Sequence, residues 1–227
     1  MIKCVKHWSE VNQCEMTFNI FLPQDDVHMQ RDKPFAAMYF LGGLTCDHNT
    51  AAWKSGFAPH AAKHNVAIVF PDTSPRNLEG YQAVGEENEQ WKCGYGAGFY
   101  CNATAEPWKK HFNMYDYITK ELPVLIESYF HVSKEKRSIF GSSMGGLGAL
   151  MIAARNPERF RSVSAFAPIA HPTHKDSGFA TLALKHYYDG DVAAASQFDA
   201  AVQMRACKRM PAGLVDIGTH DEFMGWI

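Results

Sequence analysis

Ser138-Ile139-Phe140-Gly141-Ser142-Ser143-Met144-Gly145-Gly146 is the stretch that decides the fold. The apolar run Arg137–Phe140 enters it, and Met144–Arg155, which leaves it, has helical composition and stops at Asn156-Pro157. The pattern is therefore G-x-S-x-G with a strand before and a helix after. A turn of that kind is sharp and strained. Glycines at Gly141 and Gly145 leave room for the backbones to pass and let Ser143 take an unusual φ/ψ. Ser143 Oγ then stands at the carboxyl edge of the sheet, at a helix N-terminus that stabilises developing negative charge. The following amide, Met144 N–H, is aimed at a substrate carbonyl oxygen. A Gly/Ser-rich turn can match the bare pattern by chance; the strand–helix context gives it force.

Outward from this turn the chain alternates strand and helix signals. Cys14–Leu22 alternates apolar and polar residues in part and ends at Pro23, like a half-buried antiparallel strand. Residues 34–41 and Val66–Phe70 are continuous apolar runs that suit strands buried on both faces. Val163–Phe166 and Gly213–Ile217 are two further short runs. Helical stretches are predicted over Thr50–Asn65, Trp108–Phe130, Met144–Arg155 and Asp191–Arg209. The alternation predicts an α/β fold with a mostly parallel sheet flanked by helices, in a single domain over residues 1–227. In such sheets ligands sit beyond the carboxyl ends of the strands.

Two of those ends carry candidate chemistry besides Ser143. After Phe40-Leu41 come Gly42-Gly43-Leu44-Thr45-Cys46, where paired glycines let the backbone turn close to a ligand and Leu44 N–H is the natural second oxyanion donor. A Gly-Gly turn without a ligand is the plain alternative. After Gly213–Ile217 come Gly218-Thr219-His220-Asp221-Glu222-Phe223, and Asp221, Glu222 and Asp216 are candidate acids. In this kind of hydrolase the order is serine, acid, histidine. No residue after Asp221 is a histidine, so the sequence presents no triad histidine. His48, His171, His174 and His220 have the wrong context, and His60 and His64 at i,i+4 lack the glutamate of a zinc-protease motif. No metal site and no dinucleotide loop are expected.

Composition excludes several other classes. Of 227 residues, 46% are apolar and 20% charged, which supplies a core and excludes whole-chain disorder. A net charge of −2 gives no support for nucleic-acid binding. No apolar run approaches the ~18 residues of a membrane span. Met1-Ile2-Lys3-Cys4-Val5-Lys6-His7 has no apolar signal region, and six scattered cysteines are expected as free thiols in a reducing cytoplasm.

The chain resembles the S-formylglutathione hydrolase (esterase D) family of α/β-hydrolases. The resemblance rests on Leu41–Cys46, Pro71–Arg76, Gly94–Tyr100, Ala103–Trp108, Ser138–Gly146 and Ser162–Ile169, in one order and spanning Phe18 to Phe223. It implies a serine thioester hydrolase that cleaves S-formylglutathione to glutathione and formate in formaldehyde detoxification. Side activity on small esters is implied too, with glutathione as part of the substrate and no cofactor. Carried over by position, Ser143 is the nucleophile, Asp221 the acid, and Leu44 and Met144 the oxyanion donors. Cys46 becomes a thiol beside the site, and Trp91 and Phe99 border the pocket. A homodimer is the protein assembly considered. The family continues past the acid loop with a further strand, the triad histidine and a closing helix; the expectation is a chain lacking that last strand and helix. Its alternative is a catalytically impaired remnant that at most binds ligands.

Overall fold

The computed structural model describes residues 1–23, 33–78, 81, 90–178 and 180–224. Seven strands form one sheet: β1 (Ile2–Ser9), β2 (Cys14–Phe21), β3 (Phe35–Leu41), β4 (Val66–Pro71), β5 (Val132–Ser142), β6 (Ser162–Phe166) and β7 (Ala212–Asp216). Their order is β1-β2-β4-β3-β5-β6-β7. β1 pairs antiparallel with β2, and β2 antiparallel with β4; the pairs from β4 across to β7 are parallel. Strand order runs one way from β3 to β4 and the other way from β3 to β5. The crevice between the carboxyl ends of β3 and β5 is therefore the topological switch point, where such sheets bind ligands. Registers Leu41↔Gly141, Ser142↔Phe166 and Phe166↔Asp216 align those ends side by side.

Helix α5 (Met144–Arg155) lies buried against the sheet from Met144 to Ala154. Its small residues let it approach closely: a carbon added at Gly148 would stand 2.5 Å from the Tyr100 ring. The main core joins the inward faces of β2, β3 and β4 to α5 and to an aromatic group around Tyr100, Trp108, Phe112 and Tyr187. A smaller core of Phe21, Ile68, Phe70 and Phe140 fills the other face, with Phe40 and Phe57 packed against it.

Three predicted elements differ in the structure. Thr50–Asn65 is two helices, α1 (Thr50–Lys54) and α2 (Phe57–His64), because Gly56 turns the chain at φ 65° and Asn65 ends the second helix at φ 58°. Trp108–Phe130 is a 3₁₀ turn, then α3 (Met114–Asp116), a π turn over Tyr117–Glu121 and α4 (Leu122–Tyr129). Pro123 has no N–H to give the Thr119 carbonyl, which fits the irregular turn there. The predicted helix over Asp191–Arg209 divides into α7 (Val192–Ala195), a 3₁₀ turn and α8 (Ala200–Ala206), preceded by α6 (Thr181–Tyr188). Asp199 caps α8 by accepting Val202 N–H at 3.0 Å. Strand β7 is exposed along its length, with Leu214 53% and Val215 54% accessible. Among the described residues no helix is long and apolar enough to cross a membrane.

Candidate active site

Ser143 sits between β5 and α5 at φ 55°, ψ −120°. A side chain there is strained, and the surroundings hold it in place. Ser143 N–H donates to Phe166 O at 2.9 Å, while Ser143 O accepts Leu147 N–H at 3.1 Å and Ile169 N–H at 3.3 Å. The glycines have the steric role the motif demands. A carbon at Gly141 would meet Gly145 O at 2.3 Å, and one at Gly145 would meet Leu41 O at 1.9 Å. Met144, fully buried, is the first residue of α5, where backbone N–H groups have no intrahelical partner.

The loop after β3 is a tight turn closed by Cys46 N–H donating to Gly43 O at 3.2 Å. Leu44 and Thr45 are its central residues, and Thr45 has φ 66°, a position that usually selects glycine. Gly43 faces the serine: a carbon added there would stand 3.4 Å from Ser143 Cβ and 3.9 Å from Ser143 Oγ.

These elements open onto one cleft of about 580 Å³, lined by Gly43, Leu44 and Cys46, by Thr50, Ala51, Lys54 and Ser55 of the α1 side, by Ser142 and Ser143, and by Trp91, Asp221 and Phe223. Ala167, held at φ 42°, lines it beside Ser143. Asp221 Oδ1 accepts Phe223 N–H at 2.8 Å. Glu222 is exposed and Asp216 lies within β7, so Asp221 is the candidate acid that reaches the cleft.

Five residues singled out in the sequence thus meet at this cleft: Ser143, Leu44, Asp221, Cys46 and Trp91. Phe99 does not line it. It is 2% exposed, at φ 48°, in the main core, because the loop folds inward to carry Tyr100 under the Leu44 turn. Among the described residues no histidine lines the cleft. His48 Nδ1 faces Asp72 Oδ2 at 3.3 Å, and His171 Nδ1 faces Asp199 Oδ2 at 2.7 Å. His220 contacts Thr219 Oγ1 at 3.1 Å on the surface. Among the described residues no group of three or more His, Cys, Asp and Glu could hold a metal ion.

All six cysteines are free. Burial pushes the Cys14 thiol up to about 11 and the Cys93 and Cys101 thiols up to about 12. Cys46 is half-buried at the cleft. Sequence reasoning missed Tyr100, Thr73 and Arg76, which hold the Leu44 turn, and Lys54 at the cleft wall. Their stretches, Pro71–Arg76 and Gly94–Tyr100, stand out as motifs, but Phe99 is the one side chain in them to which the resemblance gives a role.

A mostly parallel sheet with a strained serine turn at its switch point defines an α/β-hydrolase. Residues 9–227 match the model of the Esterase family. The S-formylglutathione hydrolase of Paracoccus denitrificans is 43% identical over 219 residues, 96% of this chain and 75% of the relative. The Mus musculus S-formylglutathione hydrolase is 40% identical over 225 residues, 98% of this chain and 76% of the relative. The solved S-formylglutathione hydrolase of Agrobacterium tumefaciens superposes with a TM-score of 0.90 at 40% identity, covering 100% of this chain and 78% of that one. The chain belongs to the S-formylglutathione hydrolase family.

Proposed function

We propose that this enzyme hydrolyses S-formylglutathione to glutathione and formate, as a single-domain serine hydrolase. The observation that carries the reading is the convergence of Ser143, the Leu44 turn and Asp221 on one cleft in a chain 40–43% identical to named S-formylglutathione hydrolases. Ser143 Oγ attacks the formyl carbon, and the C=O oxygen takes up the negative charge between Leu44 N–H and Met144 N–H. The tetrahedral intermediate collapses, the C–S bond breaks, and glutathione leaves as a thiolate that takes up a proton. Water then attacks the formyl ester on Ser143 and releases formate. Asp221 is the acid of the relay; the base that receives the Ser143 proton is not assembled from the described residues of the cleft. Small carboxylic esters undergo the same two steps. Six free thiols suit a reducing compartment, and we place the reaction in cytoplasmic formaldehyde catabolism.

No observation favours the impaired-remnant reading. Assay of the purified chain against S-formylglutathione and p-nitrophenyl acetate tests the proposal. Hydrolysis above background is expected, with Ser143→Ala lowering kcat more than Ser142→Ala does and Ser142→Ala costing less than about 10-fold. Loss of activity in Ser142→Ala with a silent Ser143→Ala overturns the site. Absence of any turnover of S-formylglutathione overturns the substrate.

A further inference from the structure

The turn that presents Leu44 is gripped from behind at three points. Its entry carbonyl, Gly42 O, accepts the Tyr100 hydroxyl at 2.9 Å. At its middle, Thr45 N–H donates to Gly96 O at 2.9 Å. Its exit carbonyl, Cys46 O, accepts Thr73 Oγ1 at 2.5 Å and Arg76 Nη2 at 2.9 Å. Arg76 is itself fixed by a second grip. Its Nε donates to Asp72 Oδ1 at 2.9 Å and Oδ2 at 3.0 Å, and the Asp72 side chain is only 5% exposed. Asp72 Oδ1 also accepts Thr73 N–H at 2.7 Å, so the same carboxylate organises both donors to Cys46 O.

We propose that Arg76, oriented by Asp72, is a positioning residue for the oxyanion hole: it pins the Cys46 carbonyl and through it the direction of Leu44 N–H. The inference rests on Leu44 as an oxyanion donor. Thr45 in the left-handed region is a strained centre for the turn, and such a conformation persists only where its surroundings over-determine it. Of the side-chain groups holding the turn, Arg76 is the charged one, and charge-assisted hydrogen bonds are the stronger kind. A guanidinium can hold a carboxylate through Nε while presenting Nη2 to a carbonyl in a fixed plane; an ammonium on a flexible stem cannot do both with that geometry. Without the guanidinium, Cys46 O keeps the Thr73 hydroxyl alone. The exit of the turn is then held less firmly, the Gly43–Leu44 peptide can rotate against the remaining contacts at Gly42 O and Thr45 N–H, and Leu44 N–H loses its preset aim.

The test uses Arg76→Met and Arg76→Lys in the full 227-residue chain. Four quantities are measured: kcat and KM for S-formylglutathione, affinity for a trifluoromethyl ketone that forms a tetrahedral adduct on Ser143, and affinity for S-methylglutathione, which forms none. Misplacing one donor is expected to lower kcat about 10–100-fold and to weaken the ketone by a similar factor, with KM and S-methylglutathione affinity within about 2-fold. Arg76→Lys is expected to fall between wild type and Arg76→Met. Wild-type ketone affinity in Arg76→Met overturns the proposal, whatever happens to kcat. Should Arg76→Met fail to fold, Arg76→Lys decides: wild-type kcat and ketone affinity overturn the proposal, and a parallel loss of both supports it. A wild type that binds the ketone but does not turn over S-formylglutathione sinks the substrate reading alone, and the ketone affinities of the variants still decide the role of Arg76. A wild type that does not bind the ketone sinks both.

Discussion

Gly145 and Leu41 touch so closely that a carbon added to Gly145 would stand 1.9 Å from the Leu41 carbonyl oxygen. The same carbon would be 2.7 Å from Gly42 O, so α5 packs directly on the exit of β3, where the Leu44 turn begins. Backbone cannot give way as the tip of a flexible side chain can. Gly145→Ala is therefore expected to displace the first turn of α5 from the Leu44 turn and separate Ser143 from the proposed oxyanion donor Leu44 N–H. We expect a loss of kcat of about 10²-fold or more, and destabilisation of about 1–3 kcal/mol from overpacking. Denaturant unfolding and p-nitrophenyl acetate kinetics on the one variant check both; wild-type values in either would show that the helix can shift at little cost.

The four cysteines Cys14, Cys46, Cys93 and Cys101 differ in surroundings in a way that orders their reactivity. Thiolate is the reactive form, and burial pushes Cys14, Cys93 and Cys101 far from it at neutral pH. Cys46 is half-buried at the wall of the Ser143 cleft. Iodoacetamide at pH 7.5 is expected to modify Cys46 well ahead of those three, as read by peptide mass spectrometry, and to inhibit hydrolysis by filling the cleft. Cys46→Ser is expected to keep activity within about 5-fold and to resist the reagent, because the role of Cys46 in the turn is carried by its backbone. A dead Cys46→Ser protein would point to thiol catalysis instead.

What the sequence disclosed and what it hid follow one physical rule. The elbow at Ser143 was legible because a left-handed strand-to-helix turn forces glycine at Gly141 and Gly145, and those demands are local. The buried parallel strands were legible as apolar runs. Strand β1 was not, since an edge strand that alternates half-buried and exposed residues from Lys3 to Trp8 carries little apolar signal. Strand β5 begins at Val132, well before the run at Arg137–Phe140, because its Glu135 and Lys136 face solvent. The grip on the Leu44 turn was hidden for a different reason. Tyr100 meets Gly42 across 58 positions and Arg76 meets Cys46 across 30, and no spacing rule connects residues that only the fold brings together. The resemblance named Phe99 as a pocket residue, but its neighbour Tyr100 makes the contact with the site and Phe99 packs in the core.

Lys54 is the one cation among the described residues that line the cleft. A glutathione thioester carries two carboxylates and one ammonium group, whereas p-nitrophenyl acetate is neutral. An exposed ion pair contributes about 0.2–1 kcal/mol. Lys54→Ala is accordingly expected to raise KM for S-formylglutathione about 2–5-fold and to leave KM for p-nitrophenyl acetate unchanged, with the effect shrinking as salt is raised. Equal shifts for both substrates would assign Lys54 to the shape of the cleft and not to charge recognition.

Asp199 offers a stability test remote from the chemistry. Its side chain is fully buried, and Oδ2 accepts Thr173 N–H at 2.9 Å, Thr173 Oγ1 at 2.7 Å and His171 Nδ1 at 2.7 Å, while Oδ1 caps α8 through Val202 N–H at 3.0 Å. Burial alone would raise this carboxyl, but the hydrogen bonds from Thr173, His171 and Val202 outweigh it and hold the group below its ordinary value of 3.8. A depressed carboxyl contributes stability that is complete above the unfolded value and is lost as pH falls through the folded one. Asp199→Asn keeps the shape, removes the charge and weakens these bonds, so it is expected to cost about 1–3 kcal/mol at pH 7. Guanidinium unfolding at pH 7, 5 and 3 is the check. The gap between wild type and variant should be constant from pH 7 to 5 and narrow below about pH 4, where the wild-type carboxyl begins to protonate in the unfolded chain. A gap that instead widens below about pH 4 would mean that the charge of Asp199 opposes folding.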